Sequence, residues 1–273
     1  MENIFNPNWG VETKDSNAKE LPPIVSLKNI VQRYDTEVVF NGLNLEIPDI
    51  PKKGQFISIM GKSGCGKSTI LRYISGLQKP TSGEILFRGH PREKNQSVPM
   101  VFQHYTNMEW KTVLQNVMLP LKLKGVPDDE AKVQTKKILE IVGLENHANQ
   151  YAKYPLLSGG QLQRVAIARG LVLHPDIILM DEPFGALDVK TRQDMQIFLR
   201  SIFESQEDMT IVLVTHSVSE AVFLSDKIIV LGEKPASVIE DIDISLGDIR
   251  NEEVIGSNAF KNYESRVRKA LGL

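Results

Sequence analysis

Residues 61–69 read Gly-Lys-Ser-Gly-Cys-Gly-Lys-Ser-Thr and match G-x-x-x-x-G-K-[ST] at Gly61, Gly66, Lys67 and Ser68. No other stretch restricts the fold as much, because this pattern functions only between a strand and a helix. The run Phe56 to Met60 predicts a buried strand entering the loop, and Thr69 to Ile74 predicts the helix leaving it, with a start at about Lys67. The glycines let the backbone curl until successive N–H groups point inward at phosphate oxygens. The helix N-terminus adds the positive end of its dipole. Lys67 then reaches the β- and γ-phosphates and the Ser68 hydroxyl meets Mg²⁺. Ser63, Gly64, Cys65 and Thr69 complete a nucleotide-binding set with Gly61 and Gly66.

A second anion-binding helix start is predicted downstream. Leu157-Ser158-Gly159-Gly160-Gln161 opens a helical pattern extending to Leu173, with Leu162, Val165, Ala166 and Leu173 on one face. Arg169 interrupts that stripe and Arg164 points to another side. Ser158 has the chemistry of an N-cap. One phosphate cradle already exists at residues 61–69, so a second such site suggests a shared nucleotide face.

Three further apolar runs end in polar residues. Ile177 to Met180, bounded by Pro175 and Pro183, predicts a central parallel strand ending at Asp181 and Glu182. The carboxyl end of such a strand is where open α/β sheets bind ligands. Asp181 suits Mg²⁺ and Glu182 suits polarising an attacking water. Ile211 to Val214 predicts another buried strand leading to Thr215 and His216, and His216 then reaches the same edge to meet the γ-phosphate or orient the water. Met100 to Phe102 predicts a short strand ending at Gln103, whose neutral amide suits a Mg²⁺ or water contact that is made and broken.

Taken in chain order, Tyr34, residues 61–69, Gln103, the LSGGQ signature, Asp181-Glu182, Ala186-Leu187-Asp188 and His216 resemble the ATP-binding subunit of an ATP-binding-cassette (ABC) transporter over about residues 24–235. The resemblance implies an α/β fold with a P-loop NTPase-type core. It would have a mainly parallel sheet, an N-terminal antiparallel β portion and an α-helical signature subdomain at about 104–172. It implies that Tyr34 stacks on adenine. It implies that Ser158, Gly159, Gly160 and Gln161 act in trans on the partner's ATP, and that Asp188 lines the dimer interface. The implied cofactors are ATP and Mg²⁺, with Ser68, Gln103 and Asp181 toward the metal and Glu182, His216 and Gln103 toward catalysis. Asp181 to Asp188, Thr191-Arg192, and Thr215-His216 with Glu220-Ala221 are similar to importers. Among these, Trp110 to Val113 with Asn116-Val117 and Pro120-Leu121 is similar to the nitrate/sulfonate/taurine subfamily. Glu109 where proline is common, Lys62 inside the loop and Gly170 in place of alanine depart from the pattern, none at a catalytic position.

The rest of the chain limits the alternatives. With 32 Lys and Arg against 34 Asp and Glu, and no basic run, nucleic acid is not the expected partner. The one cysteine, Cys65, excludes a disulfide within the chain and suits a reducing compartment. No segment reaches the ~18 apolar residues of a membrane helix, and no basic-then-apolar leader opens the chain. A membrane role therefore needs separate membrane proteins. Residues 1–23 are expected to be a flexible extension in which Ile4, Phe5 and Trp9 could dock locally. Residues 24–245 are expected to form the ATPase domain and 246–273 a helical tail with Phe260, Val267 and Leu271 on one face, leaving no length for a large regulatory domain. In between, Thr112 and Gln115 form a capping-box pattern, and Asp128 to Val142 reads as a helix stopped by Gly143.

The function expected is an ATP-hydrolysing importer subunit that works as a homodimer with two membrane permease subunits and an extracytoplasmic solute-binding protein. It would sit peripherally on the cytoplasmic face of the inner membrane and serve a small anionic solute. A non-transport ABC ATPase is the alternative, and a small-molecule P-loop kinase is a third reading opposed by LSGGQ, Asp188 and His216.

Overall fold

The computed structural model describes residues 21–51, 53–93, 96, 98–104, 106–205, 208–247 and 250–273, without the side chain of Glu252. Ile4, Phe5 and Trp9 lie outside the described residues.

The chain begins with strands β1 (Val25–Tyr34), β2 (Glu37–Ile47) and β3 (Gln55–Gly61), then helix α1 (Lys67–Ser75). Strands β4 (Ser82–Phe87), β5 (His90–Pro91) and β6 (Met100–Val101) follow. Helices α2 (Val113–Leu123), α3 (Asp128–Ile141) and α4 (Gly159–Leu171) come next. Then β7 (Ile177–Asp181), α5 (Val189–Glu204), β8 (Thr210–Val214), α6 (Val218–Leu224), β9 (Lys227–Leu231) and β10 (Val238–Asp243) alternate before the terminal α7 (Glu252–Gly256) and α8 (Asn258–Leu271).

Among the described residues the strands form two sheets. One has the order β2-β1-β4-β5 and pairs antiparallel throughout; the other has the order β10-β9-β3-β8-β7-β6 and is parallel except for the β10–β9 edge. This is the α/β arrangement the sequence predicts. The central strands β3, β7 and β8 are apolar on both faces because both faces are covered. Phe56, Met60, Ile178, Met180, Ile211 and Leu213 enter one core, shared with α2–α6 and α8. Ile57, Ile59, Ile177, Leu179, Val212 and Val214 enter the other, shared with the antiparallel sheet and α1. The period-2 alternation of a strand is thus used to build two hydrophobic layers on one sheet.

Local signals set the element ends. Thr112 and Gln115 form a reciprocal capping box at α2, and Ser158 and Gln161 form another at α4. The α4 helix is shorter than the apolar periodicity suggests. It ends at Leu171, and Leu173 lies in a turn closed by His174 N–H to the Leu171 carbonyl at 2.9 Å. His174 has φ 46° and precedes Pro175, so helix continuation is blocked twice. The helical lobe of α2, α3 and α4 is pinned by Asn116. Its fully buried amide accepts from Met108 N–H and donates to the carbonyls of Met108, Lys111 and Thr112, which fixes the loop carrying exposed Trp110.

Candidate active site

The loop between β3 and α1 carries the phosphate-binding residues. Gly61, Gly64 and Gly66 all have positive φ, at 159°, 78° and 107°. At Gly66 conformation and space both oppose a side chain: a Cβ there would meet the Phe40 ring at 2.4 Å and Val39 at 2.8 Å. The loop therefore lies hard against β2, and α1 starts with Gly66 as its N-cap. Lys67 is buried, and its ammonium donates to the carbonyls of Gly61 at 2.9 Å and Lys62 at 3.0 Å. Cys65 is buried beneath Gly61, in the core under α1. Ser63 and Gly64 are exposed at the loop tip.

The strand ends converge on this loop. The Ser68 hydroxyl donates to Asp181 Oδ1 at 3.0 Å, which joins the start of α1 to the end of β7. Burial pushes the Asp181 carboxyl above the usual range, with Ser68, Arg72 and Lys67 opposing and Glu182 adding to the rise. Glu182, next in sequence, has φ 47°, a left-handed conformation costing on the order of 1 kcal/mol for a non-glycine residue. Its N–H still bonds the Val214 carbonyl at 2.8 Å, so the turn away from the strand happens at one residue. That turn brings Glu182 Oε2 to 3.2 Å from His216 Nδ1, at the end of β8. A hydrogen bond to this carboxylate requires the proton on Nδ1. Gln103, after β6, lies against the same turn, since a Cβ on Gly185 would meet its Nε2 at 2.8 Å. Gln103, Asp181, Glu182, His216 and the phosphate loop thus share the carboxyl edge of one sheet, where the topology leaves room for a ligand.

Tyr34 stands at the end of β1, 45 % exposed as a residue, with its hydroxyl accepting from Gln78 Nε2 at 2.6 Å. It is on the β2 side of the loop, away from Glu182. The residues Ser158, Gly159, Gly160 and Gln161 begin α4 and face a different opening. Ser158, Gly159 and Gly160, with Asn107, Leu187 and Asp188, line a groove of about 530 Å³ whose walls include neither Gln161 nor any of residues 61–69. Gln161 is committed to the cap: it accepts from Ser158 N–H at 2.8 Å and meets His147 Nε2 at 3.0 Å. Gly160 sits so close to α5 that a Cβ would meet Thr191 Cγ2 at 2.9 Å. Asp188 caps α5, accepting from Thr191 N–H at 3.1 Å; hydrogen bonding to the Thr191 side chain and backbone holds its carboxyl below the usual range.

Two charged groups near the site, Glu220 and Arg192, each have a buried polar atom. Glu220 accepts from the Thr215 hydroxyl at 2.8 Å, and Arg192 donates to the Leu187 carbonyl at 3.0 Å. Glu220 Oε1 and Arg192 Nε are buried without a hydrogen-bond partner among the described residues. Glu220 and Arg192 enter the sequence reading only within the resemblance to importers; the burial of these atoms arises from packing.

The donor set fits a nucleotide with Mg²⁺. No group of three or more His, Cys, Asp or Glu gathers among the described residues, so no protein-only cage exists. One half-buried carboxylate, one hydroxyl and one amide beside a phosphate cradle are the ligand types Mg²⁺ takes when phosphate oxygens and water complete its shell.

A profile of the family described as ABC transporter matches residues 40–185. The aliphatic sulfonates import ATP-binding protein SsuB of Zymomonas mobilis is 43% identical over 88% of this chain and 97% of its own length. The spermidine/putrescine import ATP-binding protein PotA of Spiroplasma citri is 43% identical over 77% of this chain, which spans 59% of that protein. Among solved structures, the dimeric post-hydrolysis state of the ATP-binding cassette MJ0796 bound to ADP and Pi aligns with TM-score 0.66 and 34% identity, covering 81% of this chain and 99% of that one.

Proposed function

The chain belongs to the ABC transporter family and is an ATPase, and from that premise we propose that it is the energising subunit of an importer for a small anionic solute of the sulfonate type. The observation that carries the catalytic part is the meeting of Glu182 and His216 across the ends of β7 and β8, beside the Ser68–Asp181 contact. In this reading residues 24–245 are the ATPase domain, about 104–172 its helical lobe and 246–273 a tail docked on it.

Tyr34 stacks on adenine. The N–H groups of the loop, Lys67 and Thr69 bind the phosphates, and Lys67 exchanges its bonds to Gly61 and Lys62 for phosphate oxygens. Ser68, Asp181 and Gln103 hold Mg²⁺, which when bound neutralises charge on the β- and γ-phosphates. Glu182 takes the proton of the attacking water. His216 Nδ1 holds that carboxylate in place, leaving Nε2 toward the γ-phosphate. The groove at Ser158, Gly159 and Gly160, separate from the chain's own loop, receives the nucleotide of a second copy, and Asp188 lines that interface. ATP drives closure only because it binds the closed pair better than the open one.

No helix among the described residues is long and apolar enough to cross a membrane. Two permease subunits supply the passage, a solute-binding protein delivers the cargo, and this chain works at the cytoplasmic face. The sulfonate assignment is favoured over a polyamine by coverage: the match spans 88% of this chain and 97% of SsuB, against 77% of this chain and 59% of PotA.

Glu182→Gln tests the core of this reading. It is expected to keep ATP binding, lower turnover by roughly 10²- to 10⁴-fold, and elute as a dimer in ATP but not in ADP. Wild-type turnover would remove Glu182 from the proposed role. Purification of the tagged chain from detergent-solubilised membranes tests the importer: a multispanning permease supports it, whereas recovery of soluble partners alone favours a non-transport ATPase.

A further inference from the structure

The turn between β9 and β10, residues 232–237, lies across the mouth of the phosphate loop. Gly232 N–H to the Ser237 carbonyl at 2.9 Å closes the turn, and Ala236 N–H to the Val39 carbonyl at 2.8 Å fastens it to β2. Two ion pairs fix its tip. Glu233 binds Lys62 in the loop, and Lys234 binds Glu37 at the start of β2. Glu37 is the register partner of Tyr34 across the β1–β2 hairpin. On its other side the Lys234 ammonium lies 3.9 Å from where a Cβ of Gly64 would stand. Lys234 thus bridges the hairpin that presents Tyr34 and the tip of the loop that binds phosphate.

The strand order says which part of a nucleotide passes there. From β3, Asp181 and Glu182 lie in one direction, past β8 at the end of β7; β9 and its turn lie in the other. The γ-phosphate points toward Glu182, so the opposite flank of the loop belongs to the α-phosphate and the ribose. An ammonium has three donors, and an exposed carboxylate such as Glu37 is a weak, exchangeable partner for it.

We propose that Lys234 is a nucleotide-binding residue: it leaves Glu37 in part or whole to contact the α-phosphate of the bound nucleotide, while Glu233 and Lys62 hold the turn over the loop. The proposal rests on the nucleotide reading of residues 61–69 and adds a second cation to that site from a segment outside the loop. It accounts for a lysine at a turn whose neighbours are anchored to both the base side and the phosphate side.

The test is competition of ATP and of ADP against a fluorescent ATP analogue on the full chain, for wild type, Lys234→Gln, Lys234→Arg and Glu37→Gln. Lys234→Gln is expected to weaken ATP and ADP by the same factor, about tenfold, as for loss of one charge-assisted hydrogen bond. kcat/KM for ATP is expected to fall by about the same factor as the affinity, since ground state and transition state lose the contact alike. Lys234→Arg should restore most of the affinity, and Glu37→Gln should leave it equal or tighter. Unchanged affinity in Lys234→Gln overturns the proposal, and a loss for ATP without a loss for ADP overturns the α-phosphate assignment. Absence of ATP binding by wild type would remove the nucleotide reading itself, a result distinct from either.

Discussion

At the scale of single residues, the site is built from groups whose neighbours decide their state. Glu220 is the clearest case. Burial pushes its carboxyl up to about 7, against the opposing pull of the Thr215 hydroxyl, Arg192 and His216, with Glu182 adding to the rise. In the unfolded chain the group titrates near its ordinary 4.5. Between those values the folded state holds a proton that the unfolded state has lost, so stability falls as pH rises through that window, and the full penalty is present above about 7. Glu220→Gln keeps an acceptor for Thr215 and removes the titration. Thermal melts at pH 5 and pH 8 are expected to show wild type losing more stability than the variant on going up, by roughly 3 kcal/mol at most. Equal losses would show that Glu220 is ionised in the folded protein throughout. At this scale the sequence was informative where a residue type is tied to a strand end. Asp181, Glu182, His216 and Gln103 were each legible from the apolar run before them. Glu220 with Arg192, and Lys234 with Glu37, were not, because their meaning comes from partners 28 and 197 residues away.

Secondary-structure elements carry the next set of consequences. Two helix starts were readable from local sequence, since Thr112 and Ser158 cap helices with side chains whose chemistry is local; the cap that Asp188 supplies to α5 was not read. The buried strands were readable for the same reason, as continuous apolar runs. The packed face of α8 was readable too, from the spacing of Phe260, Val267 and Leu271, all buried in the core; the anchor that precedes it was not. Arg250 is buried and donates to the carbonyls of Val222, Phe223 and Ser225 at 3.2, 2.9 and 2.7 Å, at the end of α6, and to Asp226 Oδ1 at 3.2 Å. Arg200 reaches the same Asp226 oxygen at 3.1 Å and the Leu224 carbonyl at 2.8 Å. One guanidinium thus satisfies the orphan carbonyls of a short helix and fixes the segment leading to α7 and α8. Arg250→Met strips these donors while keeping much of the volume. It is expected to cost about 3 kcal/mol and to speed hydrogen exchange in α8 before α4 or α5 respond. Uniform acceleration across all helices would mean that α8 is not a separately released unit.

The whole molecule raises the question of where the signature acts. The groove at Ser158 and Asp188 opens apart from the chain's own phosphate loop, which is the arrangement a two-fold pair of chains needs if each completes the other's site. Ser158→Arg, which fills that groove with a long cation, is expected to leave ATP affinity of the isolated chain within about twofold and to lower turnover by about a hundredfold or more. A matching loss of affinity would place Ser158 in the chain's own nucleotide site. The layering of the two cores bears on how such a pair can move. The phosphate loop, α1 and the Tyr34 hairpin belong to one hydrophobic layer, and the helical lobe with the loop after Glu182 belongs to the other, with the six-stranded sheet between them. In mechanical terms this is a laminate whose stiff web separates two skins. A load applied to the helical lobe is therefore expected to strain the skin that carries it before it reaches the phosphate loop and the Tyr34 hairpin, which are bonded to the opposite skin.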